Sequence, residues 1–194
     1  MKISICKLTP ELLGDWLSYF DKEAFTDNDG WCGCYCMCYH WDSELAKKRS
    51  WNCDKDSAEF NREQAVNLIK SGRMQGYLAY IDGKVVGWCN ANNKKSYNNV
   101  MFNFAQEVPD NGEKIKSIAC FSVAPKYRGS GVATALLEYV CMDAKNDGFD
   151  FVEAYPFERN ENHAYHGPLT MYKTAGFKPC MQIEACIVCR KYLK

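Results

Sequence analysis

The chain has 194 residues, of which 47% are hydrophobic, 14% aromatic and 25% charged. That length suits one ordinary domain with a real apolar core, and the composition excludes a disordered tail. The 24 basic side chains balance 24 acidic ones, which argues against a general nucleic-acid binder, because such proteins need a basic face to displace counterions.

No apolar run reaches the roughly 20 residues of a membrane span, so no membrane partner is expected. Met1 to Cys6 alternates polar and apolar residues like a strand and lacks the apolar stretch of a secretory leader, which makes cytoplasmic the expected location. Residues 1–194 read as a single domain without repeat, linker or low-complexity tract. Both a monomer and a homodimer are compatible with this reading.

Ile3 to Leu8 reads as a first strand, followed by Thr9-Pro10 as a cap and first-turn proline. Leu13, Trp16, Leu17 and Phe20 then recur at helical spacing. From about 27 to 53 the sequence is rich in Gly, Asp, Trp and Cys, which predicts a long surface excursion with short helical pieces. Within it, Cys32, Cys34, Cys36 and Cys38 occupy every second position ahead of His40. Such spacing would line one face of a strand and raises a soft-metal site with His40 as a reading to test. The two-residue spacers of zinc knuckles are missing from this run, so no metal ligand is assigned. Trp31, Tyr35, Tyr39 and Trp41 either wall an aromatic acceptor pocket or cover the sheet. Other cysteines, such as Cys89, Cys120 and Cys141, lie in apolar runs and read as reduced, buried thiols.

Asn61 with Gln64 resembles a capping pair for a helix through Ala65, Leu68 and Ile69 that ends at Gly72. Tyr77 to Ile81 and Lys84 to Asn90 form a hairpin around Asp82-Gly83. Residues 92–113, with an apolar patch from Val100 to Phe104, are long for a connection and predict a substrate-facing loop or flexible insert. Ile115 to Val123 is a strand closed by Ala124-Pro125. Gly131 to Ala144 is an amphipathic helix with Val132, Leu136 and Val140 inward and Thr134, Glu138 and Lys145 outward. Asp150 to Tyr155 is a buried strand, Pro168 to Ala175 a short helix capped by Gly176, and Phe177 onward one or two strands. Cys186 and Cys189, three apart in the last of these, should face opposite sides. The order predicts an α/β (α+β mixed sheet) fold: a central mixed β-sheet with helices on both faces. Its hairpin is antiparallel, and the strand–helix–strand unit around Gly131 is parallel.

Chemistry concentrates in Phe121 to Ala133. Gly129 and Gly131 let the backbone approach a ligand, and Ser130 adds little bulk. The first amides of the following helix have no internal partners and stand at the positive end of its dipole, beside Arg128. Together they form an anion cradle suited to a pyrophosphate. The third glycine of the dinucleotide fingerprint is absent, as is the Gly-Lys-Ser/Thr of a nucleotide P-loop.

Arg128-Gly-Ser-Gly131-Val-Ala133 resembles the Arg/Gln-x-x-Gly-x-Gly/Ala signature of the GNAT superfamily, the acyl-CoA-dependent N-acetyltransferases. Met171-Tyr172-Lys-Thr-Ala-Gly176-Phe177 resembles its Tyr-x-x-x-Gly-Phe landmark, and Asp82 to Trp88 is similar to its second-to-third-strand hairpin. The landmarks stand in the family's order and cover about 77–177. The resemblance implies a GNAT-like acyl-CoA N-acyltransferase fold with a CoA-binding core at about 115–177. It implies acetyl-CoA as cosubstrate, and transfer of its acetyl group to a primary amine of a small-molecule acceptor by direct attack in a ternary complex. By the same resemblance, the backbone of Phe121, Ser122 and Val123 holds the pantetheine arm. The amides of Arg128, Gly129, Ser130, Gly131, Val132 and Ala133 bind the pyrophosphate, and Asn162 contacts the pantetheine. Tyr172 protonates the departing thiolate, a task open to a phenol of pKa about 10.

Two departures stand out. The strand from Ser117 to Ser122 carries no glutamate to serve as base, which leaves a water chain, Asp27, Asp29 or Glu153. The polar stretch from Tyr155 to His166 is longer than usual. Two other readings stay open: a non-catalytic CoA-binding sensor, and a thiol-based metal or redox module at Cys32 to Cys38.

Overall fold

Asp82 and Gly83 take φ values of +49° and +75°, the left-handed pair that a two-residue hairpin turn requires. Around this turn, β2 (Gly76–Ile81) and β3 (Lys84–Asn93) form the ladder from which the sheet extends both ways. A computed structural model describes residues 2–41, 44, 55–97, 108–158 and 164–194. To one side of the hairpin lies β1 (Ser4–Lys7). To the other lie β4 (Ile115–Val123), β5 (Phe151–Ala154), β7 (Cys186–Tyr192) and β6 (Lys178–Ile183), giving the order β1-β2-β3-β4-β5-β7-β6. Every pairing is antiparallel except β4 with β5. A helix joins those two, as a parallel crossover demands. The mixed sheet expected from the element order is the one found.

Two apolar layers cover the sheet, and neighbouring strand residues alternate between them. On one face α3 (Val132–Asn146) buries Val132, Leu136 and Val140 against Ile118, Phe121 and Val152, with Tyr172 of α4 (Leu169–Thr174) in the same core. On the other, α1 (Leu13–Lys22) and α2 (Lys55–Lys70) bury Trp16, Phe20, Ala65 and Ile69 against Trp88, Cys120 and Tyr155. Cys186 belongs to this second core and Cys189 to the first, as their three-residue spacing on a strand predicts. Gly87 allows close seating of α3, since a Cβ there would stand 2.7 Å from Val132 Cγ1.

Several local expectations need correction. Asn61 caps nothing, because α2 already begins at Lys55; its side-chain nitrogen instead donates to Gly33 O at 2.8 Å, tying the mid-helix to the cysteine-rich loop. Thr9 makes no side-chain cap bond, and a 3-10 turn at Pro10–Leu12 precedes α1. The alternating cysteines do not form a strand. Tyr35 and Cys36 have φ of +42° and +50°, and Met37–His40 is a 3-10 turn. The left-handed backbone at Tyr35 and Cys36 turns the chain back where a strand would run on, and Tyr35 to Tyr39 are all buried in succession. Strand β3 runs on to Asn93 and into a turn at Lys94–Ser96. The Val100 to Phe104 patch lies outside the described residues.

Candidate active site

The ladder of β4 with β3 continues to its end, where Val123 pairs with Gly87. With β5 it stops early: the last pair is Ile118 with Ala154. Beyond Ile118, no described strand lies against the β4 edge that turns away from β3, so its backbone groups need other partners. A cavity of about 690 Å³ opens there, within the usual range for small-molecule sites. Phe121, Ser122 and Val123 form one wall, and the turn after them, from Tyr127 to Thr134, forms the next. Ala164, Tyr165, Gly167, Pro168 and Met171 face them, and the loop after α1 closes the mouth with Phe25, Asp27, Asn28 and Trp31.

The glycine turn opens onto the cavity. Gly129 and Gly131 hold φ of +74° and +88°, where L side chains are strained, and a Cβ built on either meets nothing within 4 Å. That emptiness is on the cavity side, since both glycines line it. Gly131 precedes α3, whose first N–H groups, at Val132, Ala133 and Thr134, have no intrahelical acceptor. Ser130 does not line the cavity; its hydroxyl donates to Tyr127 O at 2.6 Å and pins the turn. Thus the chain brings Phe121, Ser122, Val123, Arg128, Gly129, Gly131, Val132 and Ala133 together around one space. Asn162 lies outside the described residues.

Arg128 is not waiting free at the cradle. Its Nη1 and Nη2 sit 2.5 and 3.2 Å from the carboxylate oxygens of Asp27, and its Nε donates to Val123 O at 3.1 Å. Asp27 thereby stands at the glycine-cradle end of the cavity. Ser122 Oγ is 3.0 Å from the hydroxyl of Tyr19, whose phenol burial pushes well above its ordinary pKa.

Tyr172 approaches the cavity from behind. Its hydroxyl donates to His166 O at 2.6 Å and is fully buried, and that burial holds the phenol well above its ordinary pKa, hence neutral. Only Gly167 stands between: a Cβ there would be 3.4 Å from the Tyr172 hydroxyl, and Gly167 itself lines the cavity.

Two of the carboxylates named as possible bases occupy other posts. Glu153, on β5 opposite Ser117, is sealed from solvent between Lys94 Nζ at 2.8 Å and Arg190 Nε at 2.6 Å, and accepts a short hydrogen bond from Tyr155. Asp27 is held by Arg128. The side chain of Asp29 lies outside the described residues. Of the four aromatics in the cysteine-rich segment, only Trp31 reaches the cavity, stacked on Tyr165 with centroids 5.1 Å apart. Tyr35, Tyr39 and Trp41 are core residues. Among the described residues no group of three or more His, Cys, Asp or Glu side chains is placed to hold a metal ion. Loss of hydration around the half-buried His40 pushes its pKa down to about 4, and the nearby Arg73 charge adds to this. No described helix is long and apolar enough to cross a membrane.

Phe25, Asn28, Tyr165, Gly167 and Met171 escaped the sequence reading as cavity residues. They come from loops and one helix start, so no periodicity or motif marks them.

The model of the acetyltransferase (GNAT) family matches residues 36–177. No curated protein matches the chain in sequence. Among solved structures, the chain is similar to an N-acetyltransferase from Staphylococcus aureus Mu50, with 14% identity, 100% of each chain covered and a TM-score of 0.57. It is also similar to the PaiA N-acetyltransferase of Thermoplasma acidophilum in complex with coenzyme A, with 17% identity, 99% of each chain and a TM-score of 0.57. A third is the polyamine N-acetyltransferase of Drosophila melanogaster, which catalyses the formation of N-acetylagmatine. Here identity is 10%, over 99% of this chain and 100% of that one, with a TM-score of 0.57. At such identities these likenesses establish the fold. The family match spans both the glycine cradle and the Tyr172 to Phe177 landmark, and the chain accordingly belongs to the acetyltransferase (GNAT) family and is an acyltransferase.

Proposed function

We propose that the protein transfers the acetyl group of acetyl-CoA to the primary amine of a small molecule, by direct attack of the neutral amine while both reactants are bound. One observation carries this reading: a single cavity joins the unpaired edge of Phe121–Val123 to the glycine cradle ahead of α3. An extended amide-bearing arm that ends in a pyrophosphate needs those two features one strand-length apart. The edge offers N–H and C=O groups to the arm, and the cradle offers helix-start amides to the phosphates. Arg128 supplies the cation there once Asp27 yields it. For Asn162, outside the described residues, the pantetheine contact is what the family resemblance implies.

Acetyl-CoA supplies an activated thioester; the chain supplies position, polarity and a proton. The β3–β4 ladder slips between Asn90 and Ala91, so that Ala119 is the extra residue on β4. A bulge re-aims the backbone locally, and we assign an N–H of this stretch to the oxyanion that develops at the carbonyl. As the C–N bond forms and the C–S bond breaks, Tyr172 gives its proton to the departing sulfur, which requires its hydroxyl to leave His166 O and turn past Gly167 into the cavity. Glu153 is sealed between Lys94 and Arg190, and Asp27 stands at the cradle end of the cavity, so the proton leaving the amine passes to water. The small-molecule acceptor class is supported by the size of the cavity and by the amine acceptor of the Drosophila enzyme.

Calorimetric titration with acetyl-CoA and with free CoA tests the reading. Saturable binding in the micromolar range, typical of enzyme substrates, followed by release of free thiol with a small primary amine, is the expected result. Absence of binding at millimolar acetyl-CoA would overturn it. Binding without consumption of the thioester across an amine panel would replace it by a CoA sensor.

A further inference from the structure

Cys120 is the β4 residue next to the bulge, and transfer chemistry makes no use of its thiol. Its side chain faces the core beneath the cysteine-rich loop, where its Sγ lies 3.4 Å from Cys36 Sγ. Trp88 Nε1 donates to that same Cys36 sulfur at 3.2 Å and fixes its position. All eleven described cysteines are free thiols. A disulfide requires the two sulfurs to close to about 2.05 Å. Cys36 can supply that movement, because it sits in a turn and not in a strand: its φ is +50°, and Met37–His40 follows as a single 3-10 turn.

Access comes through Cys34, which is partly exposed while Cys36 and Cys120 are buried. Thiol hydrogen bonds from Cys36 and Cys38 hold Cys34 well below its ordinary pKa. Cys36 is pushed up by its contacts with Cys120 and Cys34 and by burial. The run therefore places a thiol that loses its proton more readily, toward the nucleophilic thiolate form, at the solvent side of a buried dithiol.

We propose that Cys36 and Cys120 are a redox modification site, oxidised by hydroperoxides to a disulfide that ties the cysteine-rich loop to β4. The Cys34 thiolate attacks the O–O bond, expels the alcohol or water and becomes a sulfenic acid. Cys36 displaces water from it to form a Cys34–Cys36 disulfide, and Cys120 then attacks the Cys36 sulfur and returns Cys34 as a thiol. In sum, two thiols lose two electrons and two protons, and the hydroperoxide becomes an alcohol (water, if hydrogen peroxide is used) plus water. The crosslink shifts the strand beside Ala119 and Phe121, so it lowers transfer activity. Its formation depends neither on the acceptor nor on turnover.

The test treats the purified, reduced protein with stoichiometric hydrogen peroxide, alkylates remaining thiols and maps the peptides. The expected product is a Cys36–Cys120 linked peptide, lighter by two hydrogens and reversed by dithiothreitol, with alkylation of both residues reduced at least tenfold. Cys36→Ser should abolish that product, whereas Cys189→Ser, on the opposite face of the sheet, should leave it unchanged. If both Cys36 and Cys120 remain fully alkylatable after oxidation elsewhere in the chain, or if Cys36 ends linked to a different cysteine, the proposal is wrong. Peptide mapping does not depend on activity, so the crosslink would be detected or missed alike whether or not the protein proves to be a transferase.

Discussion

Arg128 and Asp27, 101 residues apart in sequence, form a two-point ion pair across the mouth of the cavity, at 2.5 and 3.2 Å. The carboxylate occupies the side of the guanidinium that an anionic ligand in the cradle would seek. Both side chains are about half exposed, at 49% and 45%, so solvent screens the pair and its intrinsic strength is at most about 1 kcal/mol.

Asp27→Asn should therefore tighten binding of CoA by up to about fivefold. It removes a negative charge beside the phosphates, and Arg128 keeps its bond to Val123 O as an anchor. Calorimetry at low and high salt measures the change, which should shrink as salt rises. Weaker binding in the variant would mean that Asp27 chiefly orients Arg128.

Gly131 separates strain from charge in the cradle. At φ +88° with open space around it, Gly131→Ala should lose about 1–2 kcal/mol of stability from backbone strain. It should still bind CoA. Gly131→Glu adds a carboxylate to the cradle and should abolish binding while its thermal midpoint falls no further than that of the alanine variant. Equal CoA affinity for wild type and the glutamate variant would remove the pyrophosphate assignment.

For Tyr172, removal of the hydroxyl should separate chemistry from binding. Tyr172→Phe loses a buried hydrogen bond to His166 O, worth about 1 kcal/mol of stability. It should slow kcat by about 100-fold or more, the lower end of general-acid contributions, with CoA affinity within about twofold of wild type. Full activity at neutral pH would show that the proton comes from elsewhere.

His40 makes the fold sensitive to mild acid. Burial lowers its pKa from 6.5 to about 4, so between those values the unfolded chain binds a proton that the folded chain refuses. Stability conferred by the neutral ring is complete above about pH 6.5 and is lost as pH falls toward 4, by about 1–3 kcal/mol. Urea unfolding across that interval should show the decline, and His40→Phe should flatten it. An unchanged slope in the variant would mean that other groups govern the acid limb.

How much of the molecule is legible in its sequence depends on the range of the interactions involved. Strand β4, the hairpin at Asp82-Gly83, the helix behind Gly131 and the opposed faces of Cys186 and Cys189 all rest on local rules. Turn dihedrals, residue period and helix-start amides act over a few residues, so one stretch of sequence carries them complete. The cradle belongs with them, because its glycines, its arginine and its helix start are contiguous. Asn61 marks the limit of such reading: its side chain looks like a cap, but the carbonyl it satisfies, on Gly33, comes from another part of the chain.

Tertiary structure alone decided the rest. The capture of Arg128 by Asp27, the seat of Tyr172 behind Gly167, the sealing of Glu153 between Lys94 and Arg190, and the contact of Cys36 with Cys120 join residues from separate elements. No period or motif encodes which loop comes to rest against which strand; that follows from burying two apolar layers on one twisted sheet at once. The alternating cysteines make the same point. Their spacing predicts a strand, but Tyr35 and Cys36 take left-handed φ values, the segment turns back on itself, and only then does one of its thiols meet β4.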